Sequence, residues 1–421
     1  MASRTLTIPQ LAAVMAGNGL EFYDFLIFGF FAVQIGAVFF PGQDSTASLL
    51  QTLAIFGVGF LTRPLGGAVI GPLGDRIGRK PAMLFCFGLM GFSILGMALT
   101  PSFASIGWAA PVLVVIFRLL QGFALGGEVG PATAFLMEAA PAEKRGLYVS
   151  LQFATQQSAI LVAGLVGVVL SNLLTLDQLT QWGWRIAMLL GVAVVPFALA
   201  MRRTLPETLE VRANIARPRP TRAHAWLAAV TIAMLASATI ATFTMNYMNI
   251  FATHTLGLSS SIAFGAVVVS GTCGVIFNPV GGWLSDRIGR KPVMTTASGL
   301  LCLVGIPCFM MMSHLRTPLA LYAGTAVMSI LLAFSLPSIM SSLSESLPQQ
   351  MRSGGIGIVY AVAISIFGGT AQFVVAWLTA VSGSPLAPSW YMCGALVVGV
   401  CGMVLMRETA PIKQPGVRQP G

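Results

Sequence analysis

Gly71-Pro-Leu-Gly-Asp75-Arg76-Ile-Gly78-Arg79-Lys80-Pro81 returns 211 residues later as Gly282-Trp-Leu-Ser-Asp286-Arg287-Ile-Gly289-Arg290-Lys291-Pro292. The interval is half of the 421-residue chain. Each copy is a short charged segment between two long apolar runs. A seven-residue identity, Asp-Arg-Ile-Gly-Arg-Lys-Pro, does not recur by chance at matched positions, so the chain reads as two related halves. Parallel repeats of this kind place a substrate site near the bilayer midplane, where the halves meet.

The composition around the repeat excludes a soluble fold. Hydrophobic residues make up 56% of the chain and charged residues 9%, against roughly 25% charged in soluble domains. A surface with so few charges suits lipid. A membrane span needs about 20 apolar residues. Such runs lie near 14–40, 49–72, 82–100, 110–139, 146–171, 184–201, 225–252, 260–284, 292–313, 318–346, 354–380 and 388–406. The expected fold is an all-α membrane protein of twelve transmembrane helices in two pseudo-symmetric six-helix bundles. The expected domains are residues 1–203, a cytoplasmic linker at 204–224, and 225–421 with a short cytoplasmic tail. The linker carries Pro206, Pro218 and Pro220 and several arginines, which suits an exposed connection.

Charge sets the expected topology. If the runs alternate across the bilayer, 19 of the 23 Lys and Arg residues fall on the side of the N-terminus. Arg185 and Arg316 fall on the other side, and Arg63 and Arg118 lie within spans. Both termini are therefore expected in the cytoplasm. The formal charge of +10 is distributed in short clusters between apolar runs, which argues against a nucleic-acid surface. The first run carries Glu21 and Asp24 and is too long for a cleavable signal. The six cysteines all fall in apolar runs without metal-site spacing, so no metal and no disulfide framework is expected.

Five ionisable residues lie inside spans: Glu21, Asp24, Arg63, Arg118 and Glu128. Each costs about 2.5–3.5 kcal/mol at a helix centre on insertion scales. They persist only if paired or facing a wet cavity. At a rise of about 1.5 Å per residue, Asp24 and Arg118 both fall near mid-bilayer. Glu21 and Asp24 are three apart and share a helix face. The expectation is an ion pair of Arg118 with Asp24, alternating with Glu21. Arg63 and Glu128 lie deeper toward the cytoplasm. They pair with each other, or else Arg63 holds a substrate carboxylate, for which a guanidinium is well shaped.

Neutral polar residues on inner spans fill out a candidate substrate cavity: Asn18, Tyr23, Gln121, Gln152, Gln156, Gln157, Asn246, Tyr247, Asn249, Asn278 and Gln372. Interhelical hydrogen bonding is the competing role for each. His254 and His314 sit near outer ends of spans and read as rim residues. A second set of charges lies where helices meet the cytoplasm: Asp75, Arg76, Glu138, Arg145, Asp286, Arg287, Glu345 and Arg352. Glu138 and Glu345 each precede a Pro by three and an Arg by seven. Ion pairs within this set form a candidate cytoplasmic gate, with topological anchoring as the alternative.

The repeated Gly-x-Leu-x-Asp-Arg-x-Gly-Arg-Lys loop resembles the signature of the major facilitator superfamily. Further segments resemble its metabolite–proton symporter branch. They are Gly17-Asn18-Gly-Leu-Glu21-Phe-Tyr23-Asp24-Phe, Arg63-Pro-Leu-Gly-Gly, Arg118-Leu-Leu-Gln121-Gly-Phe-Ala-Leu-Gly126-Gly127-Glu128 and Trp182-Gly-Trp-Arg185-Ile. That branch includes carriers of citrate and tricarballylate, α-ketoglutarate, shikimate, and proline or betaine. The first half is most similar to the citrate and tricarballylate carriers. The resemblance implies a monomeric bacterial inner-membrane carrier without a cofactor, taking up a small organic acid with protons. In the superfamily's sugar porters a span-one Asp pairs with a span-four Arg and carries the coupling proton. The motifs align there with Asp24 and Arg118, so the resemblance implies Asp24, Glu21 and Arg118 as proton-coupling residues, with a static ion pair as the alternative. A facilitator or exporter on the same fold, and a symporter of zwitterionic osmolytes, are the alternatives. A membrane-embedded enzyme would need a metal or acid cluster, and neither His-x-x-Glu nor Asp-Asp-x-x-Asp occurs.

Overall fold

A computed structural model gives the architecture. It describes residues 19, 22–42, 44–77, 79–126, 140–203, 222–346 and 359–413. Of the residues singled out above, Asn18, Glu21, Glu128, Glu138 and Arg352 lie outside this set, as does most of the 204–224 segment. The side chains of Asp75 and Arg76 are likewise not described.

Every one of the twelve apolar runs carries helix. In chain order these are α1 (Phe22–Phe30) and α2 (Ala32–Phe39), which form a bent pair at 66°, then α3 (Ser45–Leu61) and α4 (Arg63–Ile77). There follow α5 (Arg79–Leu99), α6 (Ala109–Leu125), α7 (Arg145–Leu173) and α8 (Trp184–Arg203). The second half adds α9 (Arg222–Asn246), α10 (Ser260–Ile288), α11 (Arg290–Leu315) and α12 (Pro318–Ser346). It ends with α13 (Gly369–Ser382) and α14 (Ala387–Leu405). Among the described residues, eight helices are long and apolar enough to cross a membrane, and nine if the bent pair is one span.

Local chemistry sets the ends. Asp44 caps α3 by accepting from the Thr46 N–H at 2.9 Å, which satisfies one orphan donor of the first turn. Gly289, at φ 112°, separates α10 from α11 inside the second repeat. A side chain is strained at that angle. Large apolar side chains such as Leu173, Leu303 and Leu319 face outward and are more than two-thirds exposed. In water this would be an aggregation surface; in a bilayer it is the solvent-matched face.

Aromatic clusters and close small-residue contacts both build the core. Phe25, Phe56, Phe60 and Phe243 form one ring cluster that joins α1, α3 and α9. Close backbone approach does the rest. A Cβ on Gly122 of α6 would meet the Gly59 carbonyl of α3, and one on Gly57 of α3 would meet the Gly369 carbonyl of α13. Small residues at such crossings replace the hydrophobic drive that lipid removes.

α7 and α10 pack on each other between the two halves along their length. At the end bearing the repeat loops, Gly146 and Ser150 pack on Gly282 and Ser285. At the opposite end, Gly167 packs on the Phe264 ring and Asn172 Nδ2 donates to Ser261 Oγ at 2.8 Å. These two helices therefore touch at both ends.

Candidate functional site

The centre of the site is the bend in the first span. Asp24 sits on α1 and is 1% exposed, and Arg118 on α6 is fully buried. The expected ion pair between them is not formed. Arg118 Nη1 donates to Gln121 Oε1 at 2.6 Å. Gln121 Nε2 then donates to the main-chain carbonyl of Asp24 at 3.4 Å. The Asp24 carboxylate turns instead toward α8, where a Cβ on Gly191 would collide with it. Neither of its oxygens has a hydrogen-bond partner among the described residues.

The reason for this correction lies in the aromatic residues. The Arg118 guanidinium lies 3.9 Å from the Phe28 ring centroid and 5.1 Å from those of Phe25 and Phe56. Arg63, the first residue of α4, lies 4.3 Å from both Phe25 and Phe60. The two cations thus share the Phe25 ring. A desolvated cation over an aromatic face gains about 2 kcal/mol, which favours Arg118 in this position apart from Asp24. In sequence these phenylalanines look like any lipid-facing or core residue, so the cation cage had no legible signal beyond the Arg positions.

The polar residues named from sequence fall into three groups. Tyr23 is spent locally, its hydroxyl donating to the Ala187 carbonyl of α8 at 3.0 Å. Gln121, Gln152, Gln156, Asn246, Tyr247, Asn249 and Gln372 are all buried. Of these, Asn249 crosses between the halves, its Nδ2 donating to the Phe30 carbonyl at 2.6 Å. Gln372 approaches Gly29 from α13. Asn278 donates within its own helix, to the Gly274 carbonyl at 2.6 Å, and Gln157 packs beside it on Gly274. His254 lies in the π-helical turn Phe251–Thr255 that follows the break in the seventh span at Tyr247.

One described hollow, of about 410 Å³, is lined by Val38, Ser102 and Arg185 and does not include Asp24. A second, of about 280 Å³, is lined by His314 and Arg316. Both are at the end opposite the repeat loops. His314 therefore borders an open hollow, in keeping with a rim position.

At the repeat-loop end, charges from the second half grip the first. Asp286 accepts from the main-chain N–H groups of Gly146 and Leu147 at 2.9 Å each, which are the first free donors of α7. A carboxylate at a helix N-terminus is doubly favoured, by those donors and by the helix dipole. Arg290 Nη1 lies 2.6 Å from Asp286, and its Nε and Nη2 form a fork on Glu345 at 3.2 and 3.0 Å. Glu345 also accepts from Thr409 Oγ1 at 2.8 Å, and Glu408 accepts from the Arg290 N–H at 2.9 Å.

Arg290 and Glu408 were not singled out from sequence. Arg290 stands four residues after Asp286 in the repeat, and that spacing was the available signal. Arg287, which was singled out, stacks on Trp283 at 4.3 Å. Arg145 is half-buried at the start of α7, beside the Asp286 contact.

The family model described as Major Facilitator Superfamily matches residues 20–362 and again 230–420. The chain belongs to the major facilitator superfamily, and it is a multi-pass membrane transporter, not an enzyme. It is 35% identical to a citrate-proton symporter of Salmonella typhi over 95% of this chain and 93% of that one. It is 33% identical to the alpha-ketoglutarate permease of Escherichia coli (strain K12) over 94% and 93%. The proline/betaine transporter of Escherichia coli (strain K12) is 31% identical over 96% of this chain and 84% of that one. A crystal structure of a D-xylose-proton symporter matches 96% of the chain with a TM-score of 0.77 at 17% identity, which speaks to the fold alone.

Proposed function

We propose that this protein takes up a small organic acid, a di- or tricarboxylate, together with protons by alternating access. The observation that carries the reading is Asp24: a buried acid near mid-span, with no partner at its carboxylate among the described residues, one glutamine away from a buried arginine. An unpaired buried charge is costly. A proton removes that cost in one conformation, and pairing with Arg118 offsets it in another. Movement of α6 against α1 then exchanges one state for the other, with Glu21 as the second acid on that face. The similarity to proton-coupled carriers of citrate supports the same reading.

Substrate recognition in this reading falls to Arg118 and Arg63 for carboxylate charge. Asn18, Gln121, Gln152, Gln156, Asn246, Tyr247, Asn249 and Gln372 supply neutral contacts around it, with Tyr23 orienting α1 against α8. The Asp286 cluster is the gate on the cytoplasmic side, and Asp75, Arg76, Glu138, Arg145, Arg287, Glu345 and Arg352 belong with it. The positive-side bias places both termini in the cytoplasm of a bacterial cell, with residues 1–203 and 225–421 as the two moving bodies. The carrier works as a monomer and needs no cofactor beyond the proton gradient. A zwitterionic osmolyte is the second reading, favoured by the similarity to the proline/betaine transporter.

The test is uptake by purified protein in liposomes under an imposed pH gradient, acid outside. Concentrative uptake of citrate or another di- or tricarboxylate is expected. Extrusion driven by the same gradient would overturn the importer reading.

A further inference from the structure

Three consecutive residues at the bend of the first span are each met by a polar side chain from a different span. Phe28 lies under the Arg118 guanidinium of α6 at 3.9 Å. Gly29 faces Gln372 Oε1 of α13. The Phe30 carbonyl accepts from Asn249 Nδ2 at 2.6 Å. All three side chains are at least nine-tenths buried. The Phe56 ring ties two of them together, because it touches the Gly29 position beside Gln372 and lies 5.1 Å from the Arg118 guanidinium, while Asn249 is joined to them through the adjacent Phe30 carbonyl.

Each of the three keeps hydrogen-bonding capacity that nothing described takes up. Arg118 has Nε and Nη2 unmatched, Asn249 has Oδ1 unmatched, and Gln372 has Oε1 unmatched. For Asn249 the identity of the free atom is settled by chemistry. Only its NH₂ group can donate to the Phe30 carbonyl, so the oxygen is the atom left over. The bend thus presents spare donors from a cation and spare acceptors from two amides. Buried groups of this kind are normally satisfied.

We infer that, within the transport activity proposed above, this site selects a carboxylate that itself carries a hydrogen-bond donor: the carboxylate meets Arg118, and a hydroxyl or ammonium N–H of the same molecule meets Asn249 Oδ1 and Gln372 Oε1. A donor-free carboxylate satisfies only half of the site. It leaves two buried amide oxygens facing it unpaired, which is where sites that bind a hydroxyl discriminate most strongly. Size and charge alone, by contrast, treat a hydroxy acid and its deoxy analogue alike.

Two matched pairs isolate the donor. Citrate and tricarballylate differ by one hydroxyl. Proline and N,N-dimethylproline differ by the ammonium N–H. Initial uptake of each is measured in liposomes under the pH gradient. Whichever pair is carried, the donor-bearing member is expected to be favoured by about tenfold or more in competition. Gln372→Met, which keeps the side-chain length and removes the acceptor, is expected to shrink that ratio while the donor-free member still enters. The wild-type ratio stands without the variant if Gln372→Met does not fold. Equal uptake within the carried pair, or preference for the donor-free member, overturns the inference and leaves proton-coupled transport standing. If neither pair is concentrated but another di- or tricarboxylate is, the inference fails and the transport reading stands; if no small organic acid or zwitterion is concentrated, both fail.

Discussion

Arg118 and Asp24 are both buried near the middle of the bundle, and they meet only through Gln121, which accepts from the guanidinium at 2.6 Å and donates to the Asp24 main chain at 3.4 Å. The side-chain carboxylate of Asp24 is on another course, packed against Gly191 of α8. Gln121 therefore holds the arginine while the acid is apart from it.

Gln121→Leu removes that hold. A hydrogen bond to a charged group contributes about 1.5–3 kcal/mol, so the variant is expected to melt several degrees below wild type in detergent. Proton-driven uptake is expected to fall at least about tenfold. Gln121→Glu, which restores an acceptor for Arg118, should recover the melting temperature without recovering uptake. Recovery of both by Glu would mean that Gln121 serves the fold alone.

Gly191 gives the Asp24 carboxylate its room. Gly191→Ala places a methyl where the carboxylate now lies. Loss of proton-driven accumulation is expected, with protein yield close to wild type because the displaced group is one side chain. Wild-type uptake by this variant would show that the Asp24 orientation has no part in coupling.

Packing elsewhere is less forgiving. Gly122→Ala drives a methyl into the Gly59 carbonyl, and backbone has nowhere to go. Overpacking of this kind costs about 1–3 kcal/mol and sometimes more. A clear fall in thermal stability is expected, measured by the unfolding midpoint in detergent.

The Asp286 grip on α7 predicts a change in accessibility. Ser150 is fully buried beside Gly282. In a background without the six native cysteines, Ser150→Cys is expected to resist a water-soluble maleimide. Adding Asp286→Ala should raise its labelling rate about tenfold or more, since two main-chain donors of α7 lose their carboxylate. An unchanged rate would assign Asp286 to anchoring alone.

The fold was largely legible because the bilayer imposes a simple rule. Each of the twelve long apolar runs carries helix among the described residues, and the 211-residue repeat marked the boundary between α10 and α11. The breaks were not legible. Nothing in Phe30-Phe31-Ala32 announces a 66° bend, since no proline is present and the Asn249 side chain that meets the Phe30 carbonyl there comes from the other half. The site was legible at its charges and not at its geometry. Asp24, Arg63 and Arg118 stand out because charges in apolar runs are rare. Their partners do not, because aromatic rings serve equally as core or as a cation face. At the repeat-loop end, Asp286 and Glu345 were visible through repetition, while Glu408 lies in a tail with no repeated pattern to mark it.

Asp24→Asn tests the central claim most directly. The substitution keeps the size of the buried group and removes its capacity to bind and release a proton. In liposomes with an imposed pH gradient, Asp24→Asn is expected to lose concentrative uptake of the transported acid while still exchanging labelled for unlabelled substrate down its gradient. Uphill uptake at the wild-type rate would contradict the account.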